Sequence, residues 1–155
     1  YRYKHIVDAF SFIPYGTIVD EFQHIVYENP DLTPADRDAE YLKLEKKYRP
    51  YLSIEGIPYL EKGTRWQYQM HIYESPFYYI DYCLAQCVAL GFLGLSRADF
   101  ADALDKYLAF LRATGSVSFG ELVEGAGLKP PFEAGALKEI AASSAEVIRE
   151  VEKKI

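Results

Sequence analysis

The feature that most constrains the fold is the recurrence of apolar residues at helical spacing between recognisable helix start and stop signals. In residues 15–29, Ile18, Phe22, Ile25 and Val26 fall on one stripe of a helix. The chain contains no convincing pair of alternating strands and no internal repeat. These patterns predict an all-α fold, and the length of 155 residues suits a single domain over 1–155.

Three further helices are predicted from their capping residues. Thr33 as N-cap with Pro34 at the first helical position starts one of them, and Lys46, Lys47 and Arg49 suit its last turn before Pro50. Ser96 is expected to cap a second, which Gly115 closes. Ser118 and Glu121 form a capping box for the third, a short helix.

The segments between and after these helices are also assigned. Residues 50–64 are expected to be an irregular connection, and residues 65–73 a short turn or helix. Pro76 is predicted to be the first residue of a long buried helix, since proline is favoured at that position. The tail from residue 131 is predicted to be helical.

Composition narrows the classes of partner. The formal net charge of -6 argues against nucleic acid or an anionic membrane as the main partner. No apolar run reaches the eighteen or so residues of a membrane span. The chain opens on Tyr1 without a signal-peptide pattern, so we expect a piece of a longer cytoplasmic protein. Cys83 and Cys87 are expected to be core thiols in a reducing compartment.

The histidines do not form a recognisable metal motif. His5, His24 and His71 are the only three, and no His-Glu-x-x-His occurs. Glu21 and His24 have the spacing of a di-iron ligand pair, but such sites need a second pair, which is missing. We therefore expect Glu21 and His24 to brace packed helices, Arg65 and Trp66 to lie on the surface, and His5 to lie on an outer face.

One stretch, "HIYESPFYYIDYCLAQ" (71–86), concentrates tyrosines after a histidine. On a helix from Pro76, Tyr79 and Tyr82 are i, i+3 neighbours, and Tyr78 shares a face with Tyr82. One interpretation is an aromatic packing stripe. The other is a set of phenol and imidazole donors, with His71, that faces developing negative charge.

Four motifs run through nearly the whole chain: "FIPYGTIVDEFQHIVYENPDLTPADR", "LEKKYRPYL", "YLEKGTRWQYQMHIYESPFYYIDYCLAQ" and "GLKPPFEAGALKEIA". In this order they resemble the C-terminal part of oligoendopeptidase F-type zinc metallopeptidases, in the thimet oligopeptidase-like family. The resemblance implies a multi-helix lobe that forms one wall of a peptide-binding cleft, within a larger two-lobed metallopeptidase. Short peptides would be the substrate.

The resemblance also implies how zinc and the tyrosines are used. The family holds zinc on an upstream His-Glu-x-x-His helix that this chain lacks, so zinc is expected in the parent enzyme and none on this chain. His71, Tyr79 and Tyr82 match the family's histidine and tyrosines that stabilise the oxyanion. Tyr73 and Tyr78 are weaker matches, expected to face substrate. In place of the thimet branch's glycine-rich loop, this chain has "IYESPF".

Two alternatives stay open beside the peptidase. The chain could be a stand-alone helical domain that binds peptides without cutting them, or a second chain that completes an enzyme whose metal is on another chain. The expected protein partners are accordingly the remainder of the parent peptidase or a self-association partner. Alone, the chain is expected to be inactive.

Overall fold

The fold is all-helical, as predicted. A computed structural model describes residues 1–154, and this part of the chain contains no β-strand. Eight α-helices and one 3₁₀ helix are present in it: α1 Arg2–Glu28, α2 Pro34–Tyr48, α3 Pro58–Glu61, the 3₁₀ helix Thr64–Tyr68, α4 His71–Glu74, α5 Ile80–Ala98, α6 Phe100–Ala113, α7 Phe119–Gly125 and α8 Ala136–Glu152.

The chain divides into two compact units. The central unit is Ser11–Cys83, and the terminal unit consists of Tyr1–Phe10 with the chain from Leu84 onward. Helices α1 and α5 each contribute residues to both. The expectation of one domain over residues 1–155 stays a prediction.

Two predicted helix starts are confirmed in detail. The Thr33 hydroxyl accepts a hydrogen bond from the Asp36 backbone N–H at the start of α2, and the Asp36 carboxylate accepts one from the Thr33 N–H. Ser118 and Glu121 make the same reciprocal pair at the start of α7. Each pair satisfies backbone donors that have no partner within the helix.

The core of the central unit contains the predicted stripe of α1. Ile18 and Phe22 are buried, and Ile25 and Val26 pack against them partly buried. The other buried members come from α2 and the 3₁₀ helix, and they are Tyr41, Leu44 and Trp66.

Helices α1 and α5 approach each other closely at Gly16. A side chain at Gly16 would place its Cβ 2.1 Å from the Cys83 sulfur, far inside van der Waals contact. Both cysteines are buried, as expected for core thiols.

The long helix predicted from Pro76 begins four residues later, at Ile80. The reason is Phe77, whose φ of 62° lies in the left-handed region and cannot continue into a right-handed helix. The Phe77 N–H donates instead to the buried Gln23 side chain at 2.9 Å. Residues 75–79 are therefore a loop.

The start of α6 also differs from the prediction. Ser96 lies inside α5, where its hydroxyl donates to the Leu93 carbonyl. Asp99 is the N-cap of α6, and its carboxylate accepts from the N–H groups of Ala101 and Asp102. Serine and aspartate are both favoured N-cap residues, so residue type alone did not distinguish Ser96 from Asp99.

The terminal unit is packed by α5, α6, α7 and α8. The α6 helix ends at Ala113, and Gly115 follows with φ 83°, the helix stop that was predicted there. Arg97 on α5 forms an ion pair with Glu150 on α8. No helix within residues 1–154 combines the length and the apolar character that crossing a bilayer would require.

Candidate functional site

The predicted histidine and three of the four tyrosines come together in the central unit. The His71 ring centre lies 4.9 Å from that of Tyr79 and 5.7 Å from that of Tyr82, both edge-on. Tyr82 in turn contacts Tyr78 at 5.2 Å and Tyr79 at 5.4 Å. We call His71, Tyr78, Tyr79 and Tyr82 the aromatic cluster.

The members of the aromatic cluster differ in exposure. Tyr79 is buried at 9% exposure, where its ring packs against Phe12 and Tyr15. Tyr78 and Tyr82 remain 48% and 40% exposed. Of the three tyrosines in the cluster, one is therefore buried and two are exposed to solvent.

Tyr73 lies outside the cluster. Its ring stacks beside that of Trp66 with the centres 6.0 Å apart, and it is largely exposed. Burial is the main cause that raises the pKa of the Tyr73 hydroxyl, with a smaller contribution from Tyr59.

The loop that precedes α5 is held by a buried amide. Gln23 is 1% exposed, its Nε2 donates to the Val19 carbonyl, and its Oε1 accepts the Phe77 N–H. The Phe77 ring packs against His24 and Tyr27, with centres 4.9 and 5.0 Å apart. These contacts hold Phe77 in its left-handed conformation. They therefore fix the positions of Tyr78 and Tyr79, which follow Phe77 in the loop.

His71 is held by two residues that the sequence did not single out. The Tyr15 hydroxyl donates to Gln69 Oε1 at 2.7 Å, and Gln69 Nε2 lies 2.7 Å from His71 Nδ1. Tyr15 and Gln69 are 54 positions apart. No motif or spacing links them, so the chain had to be folded before this contact could be found.

Tyr15 is itself supported by two arginines. The guanidinium groups of Arg65 and Arg49 lie 4.9 and 5.6 Å from the centre of the Tyr15 ring, in cation–π geometry. Both arginines pair with the buried carboxylate of Glu45, at 3.9 and 3.2 Å. The two arginines therefore limit the movement of the Tyr15 ring.

The surface position expected for Arg65 and Trp66 is wrong for Trp66. Its ring is buried against Phe22 in the core, and its Nε1 donates to Asp38 at 2.7 Å. The residue before the 3₁₀ helix, Gly63, permits this: its φ is 78°, and a Cβ there would meet the Asp38 carbonyl oxygen at 2.0 Å.

Glu21 joins two packed helices, as expected. His24 does not, because it is exposed and its partner Asp20 lies on the same helix, α1. Glu21 accepts hydrogen bonds from Lys47 and Tyr48 and so joins α1 to α2. Burial by itself would raise the pKa of Glu21, but the hydrogen bonds from Lys47 and Tyr48 outweigh it. The pKa is therefore lowered overall, and the carboxylate stays ionised. His24 pairs with Asp20 at 3.6 Å. His5 is exposed, as predicted.

Two tyrosines of the cluster, Tyr79 and Tyr82, have raised pKa values and are protonated at neutral pH. Burial, with smaller contributions from Tyr15, Cys83 and Tyr82, raises the pKa of Tyr79 to about 12. A hydrogen bond with Tyr78 is the first cause that raises the pKa of Tyr82. A neutral phenol can donate its proton to a carbonyl oxygen or to an oxyanion.

The described part of the chain does not fit a metal site. Within residues 1–154, no group of three or more His, Cys, Asp or Glu side chains lies close enough together to hold a metal ion. What the aromatic cluster offers is a set of uncharged hydrogen-bond donors beside exposed ring faces. Such a surface suits a peptide backbone.

Comparisons with known proteins agree on one family. The model of peptidase family M3 matches residues 2–142. A solved structure assigned as an oligoendopeptidase F shares 46% identity over 96% of this chain, with a TM-score of 0.88. PZ peptidase A, solved with an inhibitor, shares 45% over 97%, with a TM-score of 0.89.

A third structure, from Bacillus anthracis and also assigned as an oligoendopeptidase F, shares 37% identity over 97% of this chain, with a TM-score of 0.76. The chain spans only 26%, 27% and 23% of the lengths of these three solved chains. A comparison with the curated proteins gives no match. The family match and these three structures confirm the resemblance of the four motifs, and the chain belongs to peptidase family M3.

Proposed function

We propose that this chain forms the substrate-binding wall of an oligoendopeptidase that hydrolyses short peptides. Family membership and the similarity to oligoendopeptidase F structures support a peptidase. The single observation that carries the finer proposal is the aromatic cluster, in which two half-exposed phenols and an imidazole stand on one surface.

In this proposal the cluster binds the substrate's backbone and meets the oxyanion. His71, Tyr79 and Tyr82 donate hydrogen bonds to the carbonyl oxygen at the bond to be cut, whose charge grows in the transition state. Donors aimed at developing charge accelerate a reaction more than donors that bind the ground state equally well. Tyr78 and Tyr73, both about half exposed, contact the substrate further along its chain.

The zinc that the family resemblance implies is assigned to residues outside this chain. The described residues do not fit a metal site, so no step of the proposal depends on a metal held by them. The chain would then be the C-terminal portion of a catalytic lobe, and the rest of the peptidase its partner.

The proposal is tested by changing Tyr82 to Phe in the native protein. The substitution keeps the ring and removes only the hydroxyl. We expect kcat to fall by about 10²-fold with little change in KM, as on removal of one oxyanion donor. Steady-state hydrolysis of a short fluorogenic peptide measures both constants.

Tyr68→Phe provides the matched control, because Tyr68 is 86% exposed and lies outside the aromatic cluster. It should leave kcat and KM at their original values. An unchanged kcat in Tyr82→Phe would remove Tyr82 from the reaction. A loss confined to KM would favour the alternative in which the cluster only binds peptide.

A further inference from the structure

We infer that Gln69, oriented by Tyr15, is a positioning residue that keeps His71 in the neutral tautomer with its proton on Nε2. The inference rests on the proposed function for its catalytic consequence. Its structural content, the position of one proton on His71, stands independently of that function.

The first step is the orientation of the Gln69 amide. Its Oε1 accepts the Tyr15 hydroxyl proton at 2.7 Å. The other end of the amide, the NH₂ group, therefore faces His71, and an amide nitrogen can only donate. It lies 2.7 Å from His71 Nδ1.

The second step is the protonation of the ring. An imidazole nitrogen that accepts a hydrogen bond carries no proton. His71 Nδ1 is thus bare, and the single proton of the neutral ring lies on Nε2. A proton on Nδ1 would set two N–H groups against each other at hydrogen-bond distance.

The third step is the rigidity of the support. Tyr15 is held by Arg65 and Arg49 over its ring and by the edge of the buried Tyr79. The ring of His71 packs in edge-on geometry against Tyr79 and Tyr82. Gln69 contacts only one of its two ring nitrogens, Nδ1, and so distinguishes them.

The consequence is that His71 presents Nε2–H as an uncharged donor. In the proposed function this is the form that can stabilise a substrate oxygen as its charge grows. The opposite tautomer would present a bare Nε2, whose lone pair would repel that oxygen. Gln69 and Tyr15 would thus act on the reaction through His71, without touching substrate.

The test uses the native protein labelled with ¹⁵N-histidine, with His71 assigned by comparison with His71→Gln. Long-range ¹H–¹⁵N correlation spectra at neutral pH distinguish protonated from bare ring nitrogens. We expect a bare Nδ1 and a protonated Nε2. A protonated Nδ1 would mean that the Gln69 amide is turned over and would overturn the inference.

Three variants, one of them a control, extend the test. Gln69→Glu replaces the donor by a carboxylate that only accepts, so Nδ1 should become protonated. Gln67→Glu introduces the same charge two positions away, on an exposed side chain that bonds Asp38, and should leave the His71 signals in place. Tyr15→Phe frees the amide to turn and should give signals between the two tautomers. Unmoved signals in both Gln69→Glu and Tyr15→Phe would contradict the inference.

Kinetics separate this inference from the proposed function. Gln69→Glu should lower kcat/KM by about 10²-fold, as for a lost oxyanion donor, with Gln67→Glu close to the unsubstituted protein. If the tautomer of His71 changes while kcat/KM does not, Gln69 sets the tautomer as inferred. That result would contradict the role proposed for His71 in catalysis.

Discussion

The central unit contains two groups of aromatic residues that differ in their exposure to solvent. Phe22, Tyr41 and Trp66 are buried in its core, with Phe22 edge-on to Tyr41 and tilted against Trp66. In the aromatic cluster, Tyr78 and Tyr82 pack edge-to-face just as closely but remain about half exposed. Ring packing is therefore common to both groups and does not tell a core from a site.

What separates the two groups is the polar end of the ring. Tyr41 is fully buried, and within the described chain its hydroxyl has no hydrogen-bond partner. Burial is the first cause that raises its pKa. Its ring serves packing, at the cost of an unsatisfied hydroxyl. Tyr82 is 40% exposed, and its hydroxyl forms a hydrogen bond with Tyr78. In the proposed function, exposed donors on packed aromatic rings are what distinguish the aromatic cluster from the core.

The largest expected difference between the two groups is in stability. Phe22→Ala removes a ring that is 1% exposed and leaves a cavity, so the free energy of unfolding should fall by about 3 to 5 kcal/mol. Tyr78→Ala, the matched truncation in the aromatic cluster, should cost under about 1 kcal/mol because its ring is half in water. Denaturant unfolding of both variants measures the difference.

A cost for Tyr78→Ala equal to that for Phe22→Ala would break the comparison. It would mean that the aromatic cluster is part of the core and that its exposure has no functional meaning.

The next effect concerns the loop that presents the cluster. Gln23→Leu fills the same space but leaves the Phe77 N–H without its acceptor. The expected cost is about 1 to 3 kcal/mol, the penalty for an unsatisfied buried donor. Hydrogen exchange of the backbone N–H groups of Ser75, Phe77, Tyr78 and Tyr79 should become faster by a larger factor than that of the α1 amides.

Gln67→Leu is the control, since Gln67 is exposed and outside this loop. Equal exchange rates at residues 75–79 in Gln23→Leu and the unsubstituted protein would show that Phe77 keeps its left-handed conformation without Gln23.

The smallest expected effect is an alkaline loss of stability from Tyr79. Its pKa is raised to about 12 in the folded chain from the ordinary value of 10.0, so the unfolded chain releases this proton first. The contribution is complete below pH 10 and is lost as pH rises toward 12. At pH 11 the free energy of unfolding should have fallen by about 1 kcal/mol through the ionisation of this group.

Tyr79→Phe removes this contribution, so its stability should decline less between pH 9 and 11 than that of the unsubstituted protein. Tyrosinate absorbance should also show one fewer late-titrating residue. Parallel stability curves for the two proteins would mean that Tyr79 ionises in the folded chain at its ordinary pKa.

Local signals in the sequence were sufficient for much of the fold. The start of α2 at Thr33 and the capping box at Ser118 depend on side chains within three residues of the backbone groups they satisfy. The start of α5 was wrong because Gln23, 54 positions before Phe77, captures its N–H and turns the chain. Proline at position 76 favoured a helix start, but a distant hydrogen bond overrode it.

The residues of the aromatic cluster could be predicted from the sequence, but the residues that hold His71 in place could not. Tyr82 contacts both Tyr78 and Tyr79, as expected, but not along one helix face, because Tyr78 and Tyr79 lie in the loop before α5. Contact with His71, the residue upstream of that loop, was expected as well. Tyr15 and Gln69 had no such signal, because the atoms that join them meet only when α1 packs beside the chain near α4.

The most direct test of the account is a crystal structure of the native protein with a bound peptide inhibitor. We expect an oxygen of the inhibitor backbone to accept hydrogen bonds from His71 Nε2 and the Tyr82 hydroxyl, with the Tyr78 ring against the peptide. A peptide bound elsewhere, with the aromatic cluster in contact only with solvent or with another part of the protein, would contradict it.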